Sequence, residues 1–205
     1  MINPNQITKF DRTTAELQEF LLFAICVAGK NSAIQAQKLE DFLQLAKAEM
    51  ESWGYNPTTP FDALDDFTTD EIDFLLRIVK MGQYARLSNL IYELVNSKLD
   101  LKTVTVPQLE QIYGIGPKTA RFFVLHTQKD ARCAALDTHV LKHLKACGVE
   151  NVPKNTPSDK KTYKRLEDAF LAAYDGSHFA AAVTLAEYDL MIWQHYSAGN
   201  HKATK

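Results

Sequence analysis

The feature that most constrains the fold is a tight turn with two glycines and a proline, Tyr113-Gly114-Ile115-Gly116-Pro117. The glycines let the chain turn sharply and approach another surface without a Cβ clash. Proline is well tolerated at the first position of a helix, so Pro117 marks a helix start. Such a start presents free N–H groups and the positive end of the helix dipole, which favour an anion such as phosphate. The segment therefore predicts a helical hairpin over 106–127 with a phosphate contact at its turn.

Apolar residues recur at helical spacing along nearly the whole chain. In the first periodic segment Leu17, Leu21 and Ile25 form one stripe, with Asp11 or Thr13 as its N-cap. The predicted helices span 14–28, 33–53, 61–66, 69–79, 84–97, 106–112, 117–127, 137–147, 162–174 and 177–196. Only 101–106 alternates between apolar and polar residues. The pattern predicts an all-α fold.

The composition excludes several classes of protein. With 205 residues, 46% of them hydrophobic and 23% charged, the chain is ordinary for a globular protein of one domain or two small lobes. No apolar run reaches the roughly 18 residues of a membrane span, and the N-terminal segment lacks a signal-peptide pattern. Cys26, Cys133 and Cys147 form neither a disulfide framework nor a metal cluster. We therefore expect a cytoplasmic protein with no membrane contact.

The charge is unevenly distributed along the sequence. The whole chain carries −2, but the segment 102–165 has twelve Lys/Arg against five Asp/Glu, or +7, which leaves −9 elsewhere. Basic charge around and after the hairpin is what a phosphate-contacting face needs. An ordinary solvated surface is an equally good reading of this block taken alone.

Lys118 is the first candidate for chemistry, one residue into the helix that follows the turn. The positive end of a helix dipole disfavours its ammonium form, and partial burial in a cleft would act in the same direction. A neutral lysine amine is a nucleophile that forms a Schiff base with a carbonyl-type carbon. From the residues alone, a phosphate contact or an exposed helix lysine remains open.

Asp137 opens a second helix, nineteen residues after Lys118, in the sequence Leu136-Asp-Thr-His139. An aspartate here is a good N-cap, and capping alone would explain it. A carboxylate at this place could also stabilise a cationic sugar, in the way that the carboxylates of glycoside hydrolases do. The two roles are compatible because a carboxylate has two oxygens.

His139 and His143 share one helix face at a spacing found in zinc sites. No third ligand with matching spacing follows, and the pattern lacks the glutamate of a metalloprotease helix. We therefore predict no metal site.

The turn, Lys118 and Asp137 together resemble the helix-hairpin-helix DNA glycosylase superfamily. Gly-Ile-Gly-Pro-Lys-Thr-Ala at 114–120 is similar to the Gly-Val-Gly-x-Lys-x-Ala of its bifunctional members. Leu-Asp-Thr-His at 136–139 is similar to the Val/Leu-Asp-x-His that follows in the family. The resemblance implies one glycosylase unit with a two-lobed helical fold and a cleft between the lobes. Lobe 1 would span 28–136 with the central hairpin 106–127, and lobe 2 would combine 1–27 with 137–205.

The resemblance also implies roles for individual residues. Lys118 would be the Schiff-base nucleophile and Asp137 the carboxylate that stabilises the oxocarbenium-like sugar and helps to deprotonate the lysine. The implied DNA-binding residues are Gly114, Ile115, Gly116, Thr119, Lys30, Asn31, Arg86 and His139. The candidates for the base pocket are Phe122, Trp193 and Lys205. Phe122 and Trp193 would otherwise be read as core residues.

Two further segments carry weaker similarity. Residues 23–31, Phe-Ala-Ile-Cys-Val-Ala-Gly-Lys-Asn, are similar to the family helix and loop that fill the gap left by a flipped base. Gly29 replaces the first asparagine of that loop, so Lys30 or Asn31 would fill the gap. Gly82-Gln-Tyr-Ala-Arg86 resembles the family's Gly-x-Tyr/Arg-x-Arg/Lys helix start, although it could be a plain loop-to-helix junction.

The activity implied is that of a base-excision-repair DNA glycosylase with an AP-lyase step. Its partner would be double-stranded DNA with a damaged base, an oxidised base being expected and 8-oxoguanine one candidate, and the protein would act as a monomer at the nucleoid. No cysteine follows Cys147, so no iron–sulfur cluster is expected. No cofactor is expected either, although the hairpin would allow a monovalent cation. Asp-Thr-His departs from the Asp-Arg-His of short 8-oxoguanine enzymes, which leaves the base open.

Two other functions fit the sequence. A non-catalytic hairpin module that only binds DNA would keep the glycines without needing both Lys118 and Asp137. A superfamily member that acts on an unusual or hypermodified base would keep all of these residues and differ in the pocket.

Overall fold

The computed structural model describes residues 2–198. The regular secondary structure among these residues is helical, with no β-strand. The helices are α1 (Thr14–Cys26), α2 (Ser32–Ser52), α3 (Thr69–Ile78), α4 (Tyr84–Asn96), α5 (Val106–Leu109), α6 (Pro117–Thr127), α7 (Thr138–Ala146), α8 (Lys160–Asp175), a 3₁₀ turn (His178–Ala181) and α9 (Leu185–Ala198). The all-α prediction is confirmed, and most predicted helix ends lie within two residues of the observed ones.

The first helix lies at the centre of the molecule. Nine of its thirteen residues are buried, because α1 packs against α2, α4 and α6 on different sides. Phe20 stacks on Phe23 and Phe123 with ring centroids 6.4 and 5.9 Å apart, which joins α1 to the helix that carries Lys118. The apolar face of the hairpin helix α6 is thereby fixed to the core.

The segment before α1 is also fixed to α6. Arg12 is buried and donates hydrogen bonds to the carbonyls of Ile7, Lys9 and His126. Thr13, not Asp11, is the N-cap of α1, where it forms a reciprocal capping box with Glu16. The N-terminal segment therefore reaches the end of α6 and helps to close one side of the molecule.

Two predicted elements were wrong. Residues 61–66 form consecutive turns instead of a helix, because Asp62 accepts hydrogen bonds from the backbone N–H groups of Thr58 and Thr59 and holds the chain in a loop. The single helix predicted over 177–196 is divided into the 3₁₀ turn and α9. A capping box between Thr184 and Glu187 starts α9 at Leu185, since each residue's side chain accepts a hydrogen bond from the other's backbone N–H.

Candidate active site

A cleft of about 650 Å³ lies where α6, α7 and α9 meet the end of α1. Its walls come from six parts of the chain: the N-terminal segment, α1 and the loop after it, α6, the segment that leads into α7, the loop before α8, and α9. The predicted site residues that line it are Lys30, Lys118, Thr119, Phe122, Asp137, His139 and Trp193. Residues nineteen positions apart in sequence, Lys118 and Asp137, thus face one cavity.

Lys118 is the second residue of α6, directly after Pro117, and is half-buried. Its Nζ lies 4.9 Å from the centre of the Phe122 ring, one turn further along the same helix. An ammonium over an aromatic face is attracted by the ring quadrupole, which holds the flexible side chain at one wall of the cleft. The lysine is therefore directed into the cavity and not along the outer surface of the helix.

Asp137 is the N-cap of α7. Its Oδ1 accepts hydrogen bonds from the backbone N–H groups of His139 and Val140, both at 2.8 Å. Within the described residues 2–198, its Oδ2 accepts no hydrogen bond, so one oxygen caps the helix and the other remains available to the cleft. Burial, together with the nearby charge of Asp189, raises the pKa of Asp137, while the Val140 N–H and Lys118 act in the opposite direction. Capping and chemistry are therefore compatible at this residue.

A buried polar network fixes the segment between α6 and α7. Arg121, one turn after Lys118, pairs with Glu110 and with Glu167 of α8, and Glu167 Oε1 also accepts the N–H of Ala134 at 3.0 Å. Tyr163 of α8 donates its hydroxyl to the carbonyl of Ala134 and accepts the N–H of Leu136. Because α8 holds this segment at Ala134 and Leu136, the start of α7 has a defined position relative to the start of α6.

The hairpin turn lies beside the cleft. Gly114 has a φ of +86°, and a Cβ there would lie 2.9 Å from Leu90 of α4, so the turn requires glycine. Gly116 precedes Pro117 with ordinary φ and open space around its Cα, which leaves the backbone free to approach another molecule. Ile115 is buried and anchors the turn. Arg86 donates to the carbonyl of Gly114 at 3.3 Å and so joins the start of α4 to the hairpin.

The residues expected to fill the gap left by a flipped base are engaged in local structure. Asn31 is the N-cap of α2 and accepts the N–H of Ile34 at 3.1 Å. Lys30 lines the cleft and donates to the carbonyl of Met81 at 2.7 Å, and burial lowers its pKa. The cleft thus contains a second lysine, but its Nζ is tied to the loop before α4.

The two aromatic candidates for a base pocket both line the cavity. Phe122 packs against Phe20, with ring centroids 5.6 Å apart, and Trp193 of α9 meets His139 edge-on at 6.3 Å. Trp193 is half-buried. The third candidate, Lys205, lies outside the described residues.

The sequence analysis missed a buried acidic group in the cleft. Asp189 of α9 lines the cavity and is 6% exposed. Its Oδ2 lies 3.3 Å from Nε2 of the fully buried His126, whose Nδ1 lies 2.9 Å from Thr8 Oγ1. A single carboxylate within the mostly apolar stretch 188–193 was the available signal, because a charged residue on a buried helix face needs a partner.

Unpaired basic side chains are concentrated after the hairpin. Within the part of the chain that the structure describes, eight exposed lysines form no ion pair, and six of them follow the hairpin: Lys80, Lys102, Lys129, Lys142, Lys145, Lys154, Lys160 and Lys161. By contrast, Lys9, Lys47 and Lys98 outside this segment pair with carboxylates. Lys154 adjoins Asn155 and Thr156, which line the cleft. The positive charge available to a polyanion therefore lies on the hairpin side of the sequence.

Other site types find no support among the described residues. None of their helices is long and apolar enough to cross a membrane. Across 2–198, no three His, Cys, Asp or Glu side chains are placed to hold a metal ion. His143, which we considered beside His139, instead has its Nε2 3.0 Å from the Tyr188 hydroxyl.

The chain matches no protein-family model and no curated protein by sequence. Its structure is similar to the solved structures of two 8-oxoguanine DNA glycosylases, and each match has a probability of 1.00. The 8-oxoguanine DNA glycosylase of Thermotoga maritima is 23% identical, with a TM-score of 0.60 over 89% of this chain and 80% of that one. The 8-oxoguanine DNA glycosylase of Methanocaldococcus jannaschii is 19% identical, with a TM-score of 0.62 over 94% and 84%.

A further structure of the Methanocaldococcus jannaschii protein, an 8-oxoguanine glycosylase/lyase in complex with a 15-mer DNA containing 8-oxoguanine, gives a TM-score of 0.59 at 19% identity over 92% of this chain. At these identities the likeness concerns the fold. The resemblance drawn from the hairpin is confirmed at that level, whereas the lobe boundaries at 28 and 136 stay a prediction. The described residues of this chain share the helical fold of the bacterial and archaeal 8-oxoguanine DNA glycosylases.

Proposed function

We propose that this protein is a DNA glycosylase with an associated AP-lyase activity, which removes a damaged base from double-stranded DNA. The observation that carries the proposal is the presence of Lys118 and Asp137, each at a helix start, in one cleft wide enough for a nucleotide. The shared fold with 8-oxoguanine DNA glycosylases supports it.

DNA binding would use the hairpin and the unpaired lysines. The open backbone at Gly116 and the N-terminus of α6 suit a phosphate, which fixes the register of the protein on the duplex. The exposed lysines after the hairpin add sequence-independent attraction. The nucleotide would leave the stack and enter the cleft, at a cost of a few kcal/mol, because its sugar cannot otherwise reach Lys118.

Lys118 would act on the sugar of the extruded nucleotide. Its neutral amine attacks C1′, the bond from C1′ to the base breaks, and the base leaves with the bonding electron pair and takes up a proton. Loss of the amine proton and opening of the sugar ring give a Schiff base. Removal of a C2′ proton then expels the 3′ phosphate by β-elimination, which nicks the strand. The steps use groups of the protein and water, so no cofactor is needed.

Asp137 would serve this reaction through its free oxygen. As the base leaves, the sugar gains positive charge, and a fixed carboxylate in a water-poor cleft stabilises that charge. The pKa of Asp137 is raised by burial, so its carboxylate is a better proton acceptor than an ordinary aspartate. It is thus suited to take the proton from the Lys118 ammonium before attack.

The aromatic residues favour a planar ligand. Trp193 and Phe122 line the cavity, and an extruded base gains stability when it stacks on such rings. We propose an oxidised purine as the substrate class, and 8-oxoguanine as its first member to test, because the structural neighbours are named for that base. We further propose that one protein molecule acts alone, since both reacting groups come from one chain.

A borohydride trapping experiment on duplexes with single defined lesions tests the proposal. We expect a covalent adduct with an oxidised-purine duplex and its loss in Lys118→Gln. Lys98→Gln is the control, because Lys98 is exposed, pairs with Asp65 and does not line the cleft, so this variant should still form the adduct.

Three outcomes would redirect the assignment. Tight duplex binding without an adduct for any lesion would indicate a non-catalytic DNA-binding module. Adduct formation only with hypermodified bases would indicate an enzyme that acts on such bases and not on oxidised purines. An adduct that persists in Lys118→Gln would remove Lys118 from the chemistry.

A further inference from the structure

The carboxylate of Asp189 is buried and only partly satisfied. The residue is 6% exposed, and within residues 2–198 its Oδ1 accepts no hydrogen bond. Its Oδ2 lies 3.3 Å from His126 Nε2, but within the described residues that nitrogen forms no hydrogen bond. A buried charge of this kind is costly unless it is paired, so its retention beside a cleft suggests a use beyond packing.

His126 connects Asp189 to two other parts of the molecule. The imidazole is fully buried on α6, two turns after Lys118, and its Nδ1 lies 2.9 Å from Thr8 Oγ1. Its ring also meets the edge of Phe122 at 4.9 Å, the residue over which Lys118 lies. Thr8, His126 and Asp189 thus form a polar chain from the N-terminal segment, through α6, to α9.

The helix that carries Asp189 packs against the helix that Asp137 caps. Trp193, one turn after Asp189, contacts His139, two residues after Asp137, with ring centroids 6.3 Å apart. Both carboxylates line the same cavity. The contact between α7 and α9 therefore brings a second negative charge to the side of the cleft where Asp137 lies.

We propose that Asp189, which lies beside His126 of α6, is a positioning residue that places a second negative charge on the side of the cleft where Asp137 lies and so helps that carboxylate to take the proton of Lys118. The catalytic role of Asp189 rests on the proposed function. The electrostatic effect of Asp189 on Asp137 does not. The charged and titratable groups that face Asp137 are Lys118 on α6, His139 on α7, Asp189 on α9 and Lys30 on the loop after α1.

The chemistry follows from these charges. A like charge disfavours ionisation of a neighbouring carboxyl group, and here it adds to the effect of burial in raising the pKa of Asp137. Removing the Asp189 charge should lower that pKa and weaken Asp137 as a proton acceptor. A purely structural role for Asp189, as a tether of α9 to α6, would change stability without changing this titration.

The experiment is a carbon-13 NMR titration of the Asp137 carboxyl group in the full-length protein without DNA. The signal is assigned by its loss in Asp137→Asn. We expect its midpoint to move to lower pH in Asp189→Asn. His126→Gln keeps the Asp189 charge while disturbing the same tether, so its Asp137 midpoint should stay closer to the wild-type value.

A second readout is the pH profile of base release in single-turnover reactions. In Asp189→Asn the acidic limb should move to lower pH, and the plateau rate should fall on the order of tenfold because a weaker base removes the amine proton.

Three results overturn the proposal: an Asp137 midpoint unchanged by Asp189→Asn, equal shifts in Asp189→Asn and His126→Gln, or a wild-type midpoint at or below that of an exposed aspartate. The last needs no variant, so it decides even where Asp189→Asn fails to fold. The titration uses no substrate. If the Asp137 midpoint moves as expected in Asp189→Asn but the protein has no glycosylase activity, the proposed function is refuted and the effect of Asp189 on Asp137 is not.

Discussion

The two walls of the cleft are built by different kinds of interaction. The helix-start wall, formed by α6 and α7, presents Lys118 and Asp137 from positions fixed by Pro117 and by an N-cap. The α9 wall presents Asp189 and Trp193 from the middle of a helix, held by contacts with residues far away in sequence. The first wall is set by short-range rules of helix initiation and the second by tertiary packing.

This difference explains how Lys118 and Asp137 can both face the cleft and be well positioned. Helix starts leave N–H groups and cap side chains at the surface, so groups placed there face a cleft without extra strain. Their mutual geometry still needs support, which α8 supplies through Glu167 and Tyr163. The helix-start wall would carry the chemistry, and the α9 wall would set its electrostatics and receive the base.

The largest expected effect comes from Asp137→Asn on the helix-start wall. Asparagine is as good an N-cap as aspartate, so α7 and DNA binding should be retained. Base release in single-turnover assays should fall on the order of a hundredfold to a thousandfold, because the charge that stabilises the cationic sugar is lost. Turnover within a few fold of the wild type would remove this carboxylate from the mechanism.

The same variant should be more stable than the wild type at neutral pH. Since the folded-state pKa of Asp137 is raised, the folded protein binds its proton more tightly than the unfolded chain does. Stability therefore decreases as pH rises from the unfolded to the folded pKa and stays lower above it. Asp137→Asn should raise the melting temperature at pH 7, and the gain should shrink as pH falls through that window. A melting temperature lower than that of the wild type at pH 7 would contradict the electrostatic account.

The helix-start wall is the part that could be predicted from the sequence. The turn at 114–117, Lys118 and the cap at Asp137 are local signals, and the predicted helix 117–127 matches α6. The capping box at Thr184 and Glu187 was equally local, so the start of α9 could have been found. The pairing of His126 with Asp189 could not, because 63 residues separate the two and nothing local specifies which buried imidazole meets which carboxylate.

The next effect in size is expected on the α9 wall, from Trp193→Ala. Loss of a stacking ring costs about 1–3 kcal/mol per base, which corresponds to roughly five- to 150-fold weaker binding of a lesion duplex. Binding of undamaged duplex should change little, because the phosphate contacts proposed above involve the hairpin and the exposed lysines and not Trp193. Trp53→Ala is the control, since Trp53 lies on α2's C-terminal end and packs on Phe67. Equal losses for damaged and undamaged DNA in Trp193→Ala would exclude a base contact.

A smaller effect is expected from Glu167→Gln, which alters the contact between α8 and the segment that leads into α7. In Glu167→Gln, Arg121 keeps the half-buried Glu110 but loses the charge of its buried carboxylate partner. We expect destabilisation of about 2 kcal/mol in urea unfolding, with weaker base release because the segment before Asp137 is less firmly held. Asp175→Asn, which removes the exposed partner of Arg132, should change neither property. Full activity in a destabilised Glu167→Gln protein would show that this network supports the fold and not the site.

The most direct test of the central claim, that Lys118 and Asp137 meet over one deoxyribose in this cleft, is to locate the trapped sugar by mass spectrometry. After borohydride reduction with a lesion duplex and digestion of both DNA and protein, we expect the deoxyribose remnant on Lys118, and far less of it when Asp137→Asn is used. A remnant on Lys30, on another lysine or on the N-terminal amine would contradict the account.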